Sequence, residues 1–149
     1  MGYNTSLAIV HDLNLDEVGV DRSSGLSFDE ATSSMNFALV AAQVGPHVVL
    51  IDPLYGTEAK PVAERLGRQV YVVSVGSTAS TYVIEAEGPV HRVRAISNGE
   101  LLAHEGEPLA AEAVLAAHEF DEDAHFAVAE RLLGSPLSAV HEATFYPVA

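Results

Sequence analysis

The densest gathering of groups able to do chemistry is His118-Glu119-Phe120-Asp121-Glu122-Asp123-Ala124-His125, two imidazoles and four carboxylates within eight residues. Imidazole nitrogens and carboxylate oxygens suit zinc or a hard divalent ion, and His118, Asp121, Asp123 and His125 are the candidate ligands. Their spacing opposes that chemistry. The two histidines lie seven apart across a helix break, not at the i, i+4 separation that sets two ligands on one helical face. A calcium loop starting at Asp121 would need glycine in its sixth place and glutamate in its twelfth, and it has neither. The simpler reading is an acidic helix start, with Asp121, Glu122 and Asp123 in the first turn, where the helix dipole favours negative charge. On that reading no metal and no other cofactor is expected.

Other clusters meet similar objections. His104-Glu105, with Glu107 nearby, offers a general base oriented by a carboxylate, or a turn with solvated side chains. Ser74, Ser77 and Ser80 are candidate nucleophiles, but Gly76-Ser77-Thr78 does not match the G-x-S-x-G elbow. The glycine-containing stretches around Gly76 and Gly106 lack the lysine and spacing of a phosphate loop, so no nucleotide is expected. Asp12 and Asp52 each follow a strand; placed at one edge, the two could hold magnesium. Each can equally cap its own turn, which needs no third ligand. Arg92 and Arg94 share one strand face, with Glu85, Glu87 and Glu100 as cross-strand partners. No residue is assigned a catalytic role. Arg92, Arg94, Glu105 and Glu107 stand as candidate interaction residues.

The elements that must position these groups follow from patterning. Thr5 to His11 is an almost unbroken apolar run, which predicts a central strand covered on both faces. Leu15 to Val18 predicts one short helical turn. Ser27-Phe28-Asp29-Glu30 has the form of a capping box. Phe28, Ala31, Met35, Ala38, Leu39 and Ala42 after it predict a helix that stops before Gly45-Pro46. His47 to Ile51 predicts a second buried strand, and Pro61 to Leu66 a short helix. From Gln69 the pattern becomes a meander of four strands: Val70 to Val75, Thr81 to Glu87, Val90 to Ile96 and Glu100 to His104. Asn98-Gly99 between the last two is a strong type I′ hairpin signal. Helices are predicted over Ala110 to His118 and Asp121 to Leu133, a helical turn after Ser135-Pro136, and a final strand within Ala143 to Val148. The sum is one α+β domain over 1–149: a single mixed or antiparallel sheet with helices mainly on one face.

Composition bounds what such a domain does. Twenty-one acidic residues face seven basic ones, a formal net charge of −14 over 149 residues. An anionic surface repels nucleic-acid phosphates and anionic lipid, and favours basic protein surfaces as partners. Hydrophobic residues make up 48 %, so the charge sits on a folded body rather than a disordered tail. The absence of cysteine excludes disulfides and thiolate chemistry and suits a reducing cytoplasm. The longest apolar stretch, Phe37 to Ile51, is broken by Gln43, Gly45, Pro46 and His47 and is too short to span a bilayer. No signal peptide is expected, because the first residues lack a basic n-region and an apolar h-region. Alanine and valine richness, with arginine used over lysine, is the usual look of a GC-rich bacterial or phage genome.

The chain resembles a family of small uncharacterised proteins of actinobacteria and their phages. The likeness is carried by Met1-Gly2 leading into the first strand, by Gly106-Glu107-Pro108-Leu109 with Glu112 after the meander, and by the late helix Ala124 to Leu133. An arginine in the third strand of the meander, here Arg92 or Arg94, is part of it. The resemblance implies an α+β fold and carries no activity and no functional residue.

The function expected from these readings is a non-enzymatic acidic protein-interaction module: an inhibitor, an immunity-type protein or an adaptor, with nucleic-acid mimicry as one version. The alternatives are a small metal-assisted hydrolase built on His104 or the His118–His125 segment, and a phage structural or decoration protein. Exposed sheet edges allow a homodimer.

Overall fold

The computed structural model describes residues 4–149; the Met1-Gly2 opening lies outside the described residues. The apolar run near the N-terminus forms β1 (Asn4–Val10). Leu7 and Ile9 enter one core and Ala8 and Val10 another, on opposite faces of the sheet. Burial on both faces explains why β1 reads as a continuous apolar run rather than an alternating one.

After α1 (Leu15–Val18) and α2 (Phe28–Ala31) come β2 (Val40–Val44), β3 (His47–Ile51) and α3 (Ala59–Arg65). The meander follows as β4 (Val70–Gly76), β5 (Thr81–Glu87), β6 (Arg92–Ser97) and β7 (Glu100–Glu105). A 3₁₀ segment (Ala110–Ala117), α4 (Asp121–Leu133), α5 (Leu137–His141) and β8 (Tyr146–Pro147) complete the chain. The strands form one open sheet of eight in the order β7-β6-β5-β4-β1-β3-β2-β8. Every pairing is antiparallel, so the fold is α+β with an antiparallel sheet. Helices α2, α4 and α5 and the 3₁₀ segment bury Phe28, Ala111, Val128 and Val140 on one face. The shorter α1 and α3 cover the other face with Leu15, Val18, Ala59 and Ala63. Among the described residues no helix is long and apolar enough to cross a membrane.

The helix expected to run from Phe28 to Ala42 ends at Ala31. The capping box at its start is present, with Glu30 N–H donating to Ser27 Oγ and Ser27 N–H to Glu30 Oε1. Beyond it, short polar side chains hold the backbone in turns: Asn36 donates to the Ala31 and Ala38 carbonyls, and Ser33 accepts from Met35 N–H. Such local bonds compete with the helical ladder. Val40 to Val44 then pairs with β3, Val44 opposite His47, through the tight Gly45-Pro46 turn in which Gly45 takes φ 56°. The apolar positions that mimic a helical stripe are instead buried strand residues (Ala42) and exposed loop residues (Met35, Ala38).

The hairpin turn at Asn98-Gly99 has φ 51° and 79°, the left-handed pair that a type I′ turn requires. The segment expected as a helix over Ala110 to His118 is 3₁₀.

Candidate functional site

Of the interaction candidates, Arg92 is the most deeply committed. It rises from the start of β6 toward the 3₁₀ segment, and its guanidinium meets Glu112 in two bonds, Nε to Oε2 at 2.9 Å and Nη2 to Oε1 at 2.8 Å. The side chains are 3 % and 7 % exposed, so this is a buried ion pair. Nη1 donates to the Glu105 and Gly106 carbonyls and to His104 Nδ1. Every guanidinium nitrogen is therefore bonded within the fold. Glu112 Oε2 also accepts the Leu109 N–H at 2.7 Å. Burial pushes the Glu112 carboxyl up, but the Arg92 and Leu109 bonds and the charges of Arg92 and Arg94 outweigh it and leave it below the ordinary range. Arg92 is thus a clamp between β6, the end of β7 and the 3₁₀ segment, and it presents no charge to a partner.

Arg94, half-buried one pleat away, points Nη1 at His125 Nε2 across 3.4 Å. His125 is 1 % exposed; its Nδ1 bonds the Asp121 carbonyl at 2.7 Å and its ring stacks on Tyr82 with centroids 5.0 Å apart. Burial, chiefly, and the Arg94 charge hold its pKa down against the opposing pull of the Asp121 carbonyl. A neutral ring with Nδ1–H donating to Asp121 and Nε2 accepting from Arg94 satisfies both nitrogens. His125 is therefore a core residue with no lone pair to spare for a metal.

The other three candidate ligands lie elsewhere. His118, Asp121 and Asp123 are exposed. His118 and Asp123 line a hollow with Phe126, Glu130 and His141, on a different side of α4 from the buried ring of His125. Among the described residues no three histidine or carboxylate groups converge as a metal site. Asp121, Glu122 and Asp123 occupy the first turn of α4.

Asp12 and Asp52 sit far apart. β1 and β3 are neighbours, as a shared site would require, but antiparallel, so residues following their C-terminal ends fall at opposite ends of the sheet. Asp52 is buried and accepts backbone N–H groups from Leu54, Glu58 and Ala59, each at 2.8 Å. It caps its own loop and the start of α3.

The acidic surface gathers at the far corner of the meander. A hollow of about 680 Å³ is lined by Glu119, Phe120, Asp121, Glu122 and Asp123, by the Asn98-Gly99 turn, and by Ser77, Ser80 and Tyr82. No lysine or arginine lines it. Phe120 is 65 % exposed in the middle of these carboxylates. Glu122 accepts the Ser77 hydroxyl, which ties α4 to the turn after β4. Leading away from the hollow, β7 carries Glu100, Leu101, Leu102 and Glu105, all exposed. Glu105 meets the exposed His91 at 3.2 Å, and Glu107 is exposed beyond it. Phe120, Leu101 and Leu102 carry no special spacing; the edge position of β7 singles out the leucines, and exposure within the hollow singles out Phe120.

Comparison with family models, curated proteins and solved structures finds no match for this chain.

Proposed function

We propose that this chain is a non-enzymatic protein-interaction module, of the inhibitor, immunity or adaptor kind, that works in the cytoplasm against a basic protein surface. The observation that carries this reading is the acidic hollow at the start of α4. An exposed aromatic ringed by carboxylates, with no basic side chain beside it, has the anatomy of an interface anchor within a charged rim. Arg92 and Arg94, on β6, face inward to Glu112 and His125, and neither they nor Arg131, in the last turn of α4, line the hollow. A surface of this kind steers a cationic partner and repels phosphate backbones, so direct nucleic-acid binding is not part of the reading.

Affinity capture from the native host at low salt tests it. The expected result is a basic protein whose association rate falls steeply as salt rises, and whose binding is lost with Glu119→Lys/Phe120→Ala/Asp123→Lys. A partner held without salt dependence, or stoichiometric zinc or manganese in the purified protein with hydrolase activity, would overturn the reading.

A further inference from the structure

We infer that β7 is an acceptor edge: it takes an extended, lysine- or arginine-bearing segment of another protein as a ninth strand of the sheet. This rests on the interaction role proposed above and names where and how the partner sits.

The two ends of the sheet are finished differently. At one end β8 is only two residues long and includes Pro147, and isolated bridges from Val20 to Val148 and Leu26 to Phe145 flank it. Short length and proline are two of the usual protections of an edge. At the other end β7 runs for six residues, pairs only with β6 among the described residues, and contains neither proline nor lysine. It carries one irregularity of its own, a register shift at which Leu102 faces no β6 residue between the Leu101–Ile96 and Ala103–Ala95 pairs. Leu101 and Leu102 are 53 % and 62 % exposed on it. A strand with unpaired backbone groups and bare leucines is a template for strand addition.

Charge selects the occupant. Glu100 and Glu105 bracket the leucines, Glu107 follows, and the carboxylates of the α4 hollow lie past the Asn98-Gly99 turn. A second copy of this chain would fit badly: antiparallel pairing of β7 along its full length sets Glu100 of each copy opposite Glu105 of the other. Like charges directly opposite are destabilising, and each copy brings a net charge of −14. A segment alternating basic and apolar residues meets none of this. Its backbone completes the hydrogen bonds of β7, an apolar side chain continues the row formed by Ile96 and Leu101, and its cations approach Glu100 and Glu105.

The test uses the intact protein, isotope-labelled for NMR at low salt, and a synthetic ten-residue peptide of alternating valine and lysine. Its counterpart carries the same side chains with every backbone nitrogen methylated, which keeps the charge and removes the donors. The expected result is that the unmodified peptide shifts the amides of Leu101 to Glu105 and slows their hydrogen exchange, while the methylated one binds at least tenfold more weakly. Equal binding of both peptides, or shifts confined to the α4 hollow, overturns the edge while leaving the acidic module standing. Binding of neither peptide overturns both. A peptide-free dimer with protected β7 amides would assign the edge to a second copy instead and also refute the inference.

Discussion

The pair Arg92–Glu112 shows how a buried charge can be structural in a protein whose surface is dominated by charge. Removing one partner of such a pair strands the other in a low-dielectric site, at a cost of about 3–5 kcal/mol. Replacing both by apolar groups of similar volume is far milder, because no uncompensated charge remains. Glu112→Gln is therefore expected to destabilise the protein more than the double variant Arg92→Met/Glu112→Leu, as read from urea unfolding midpoints. The Glu105 and Gly106 carbonyls released in the double variant belong to exposed residues and can turn to water. A double variant less stable than Glu112→Gln would contradict this account. The pair was half legible in the sequence. Arg92 stood out as a rare base, but its partner lies twenty residues away and is reached only because the chain after Gly106 folds back over β6.

At the scale of elements, the turn after β7 depends on a glycine for a reason beyond its dihedral. Gly106 has φ 74°, and a Cβ there would stand 2.1 Å from the His91 carbonyl oxygen. Gly134, which ends α4, has nearly the same φ of 72° but open space around it. Gly134→Ala should cost about 1 kcal/mol, the ordinary penalty for a side chain at positive φ. Gly106→Ala should cost clearly more, since backbone must move and the Arg92 bond to the Gly106 carbonyl goes with it. Equal midpoints for the two variants in denaturant would refute the close approach. Elements with strong local chemistry were readable: the four meander strands, α1, α4 and the Asn98-Gly99 turn all lie where their residues place them. β2 was not, because Phe28, Ala31, Met35 and Ala42 satisfy a helical period. What decides the matter is the bonding of Ser33 and Asn36 and the pairing with β3 across the Gly45-Pro46 turn, neither of which a count of apolar periodicity registers.

For the whole molecule, acid sensitivity follows from which groups the fold holds away from their ordinary protonation. His47 is lowered mainly by burial and by the neighbouring His11, with Asp12 opposing, and its Nδ1 accepts the Asp12 N–H. His125 is lowered as described. For both, the unfolded chain binds protons as pH falls below the usual value near 6.5 while the folded state resists. Stability is thus flat above that pH and declines below it, until the folded-state values are passed. Glu112, also lowered, adds a second decline as pH falls through the ordinary glutamate range and below. Unfolding free energy measured from pH 8 to pH 4 should show both stages. His125→Phe should flatten the first without removing it, since His47 remains; an unchanged first stage would exclude His125 as a contributor. The antiparallel arrangement also settles why Asp12 and Asp52 never meet: neighbourhood was a fair expectation, direction was not given by either strand alone.

The place of β1 in the sheet carries a consequence for how the chain is made. β1 is translated before the other strands of the sheet, yet it must finish in the middle, paired to β3 on one side and β4 on the other. Until Gly76 has been synthesised, β1 has at most one of its two partners, and Leu7 and Ile9 lack the cover that the 3₁₀ segment, α4 and α5 later bring, although α1 and α3 for the opposite face have already been made. Its pairing with β4 spans more than half of the residues up to that point, which makes closure slow and leaves a sticky segment waiting. The newborn chain therefore meets its greatest risk of aggregation before the meander exists. The twelve acidic residues that follow Gly76 have yet to be translated during that interval, so only the nine before it contribute their repulsion.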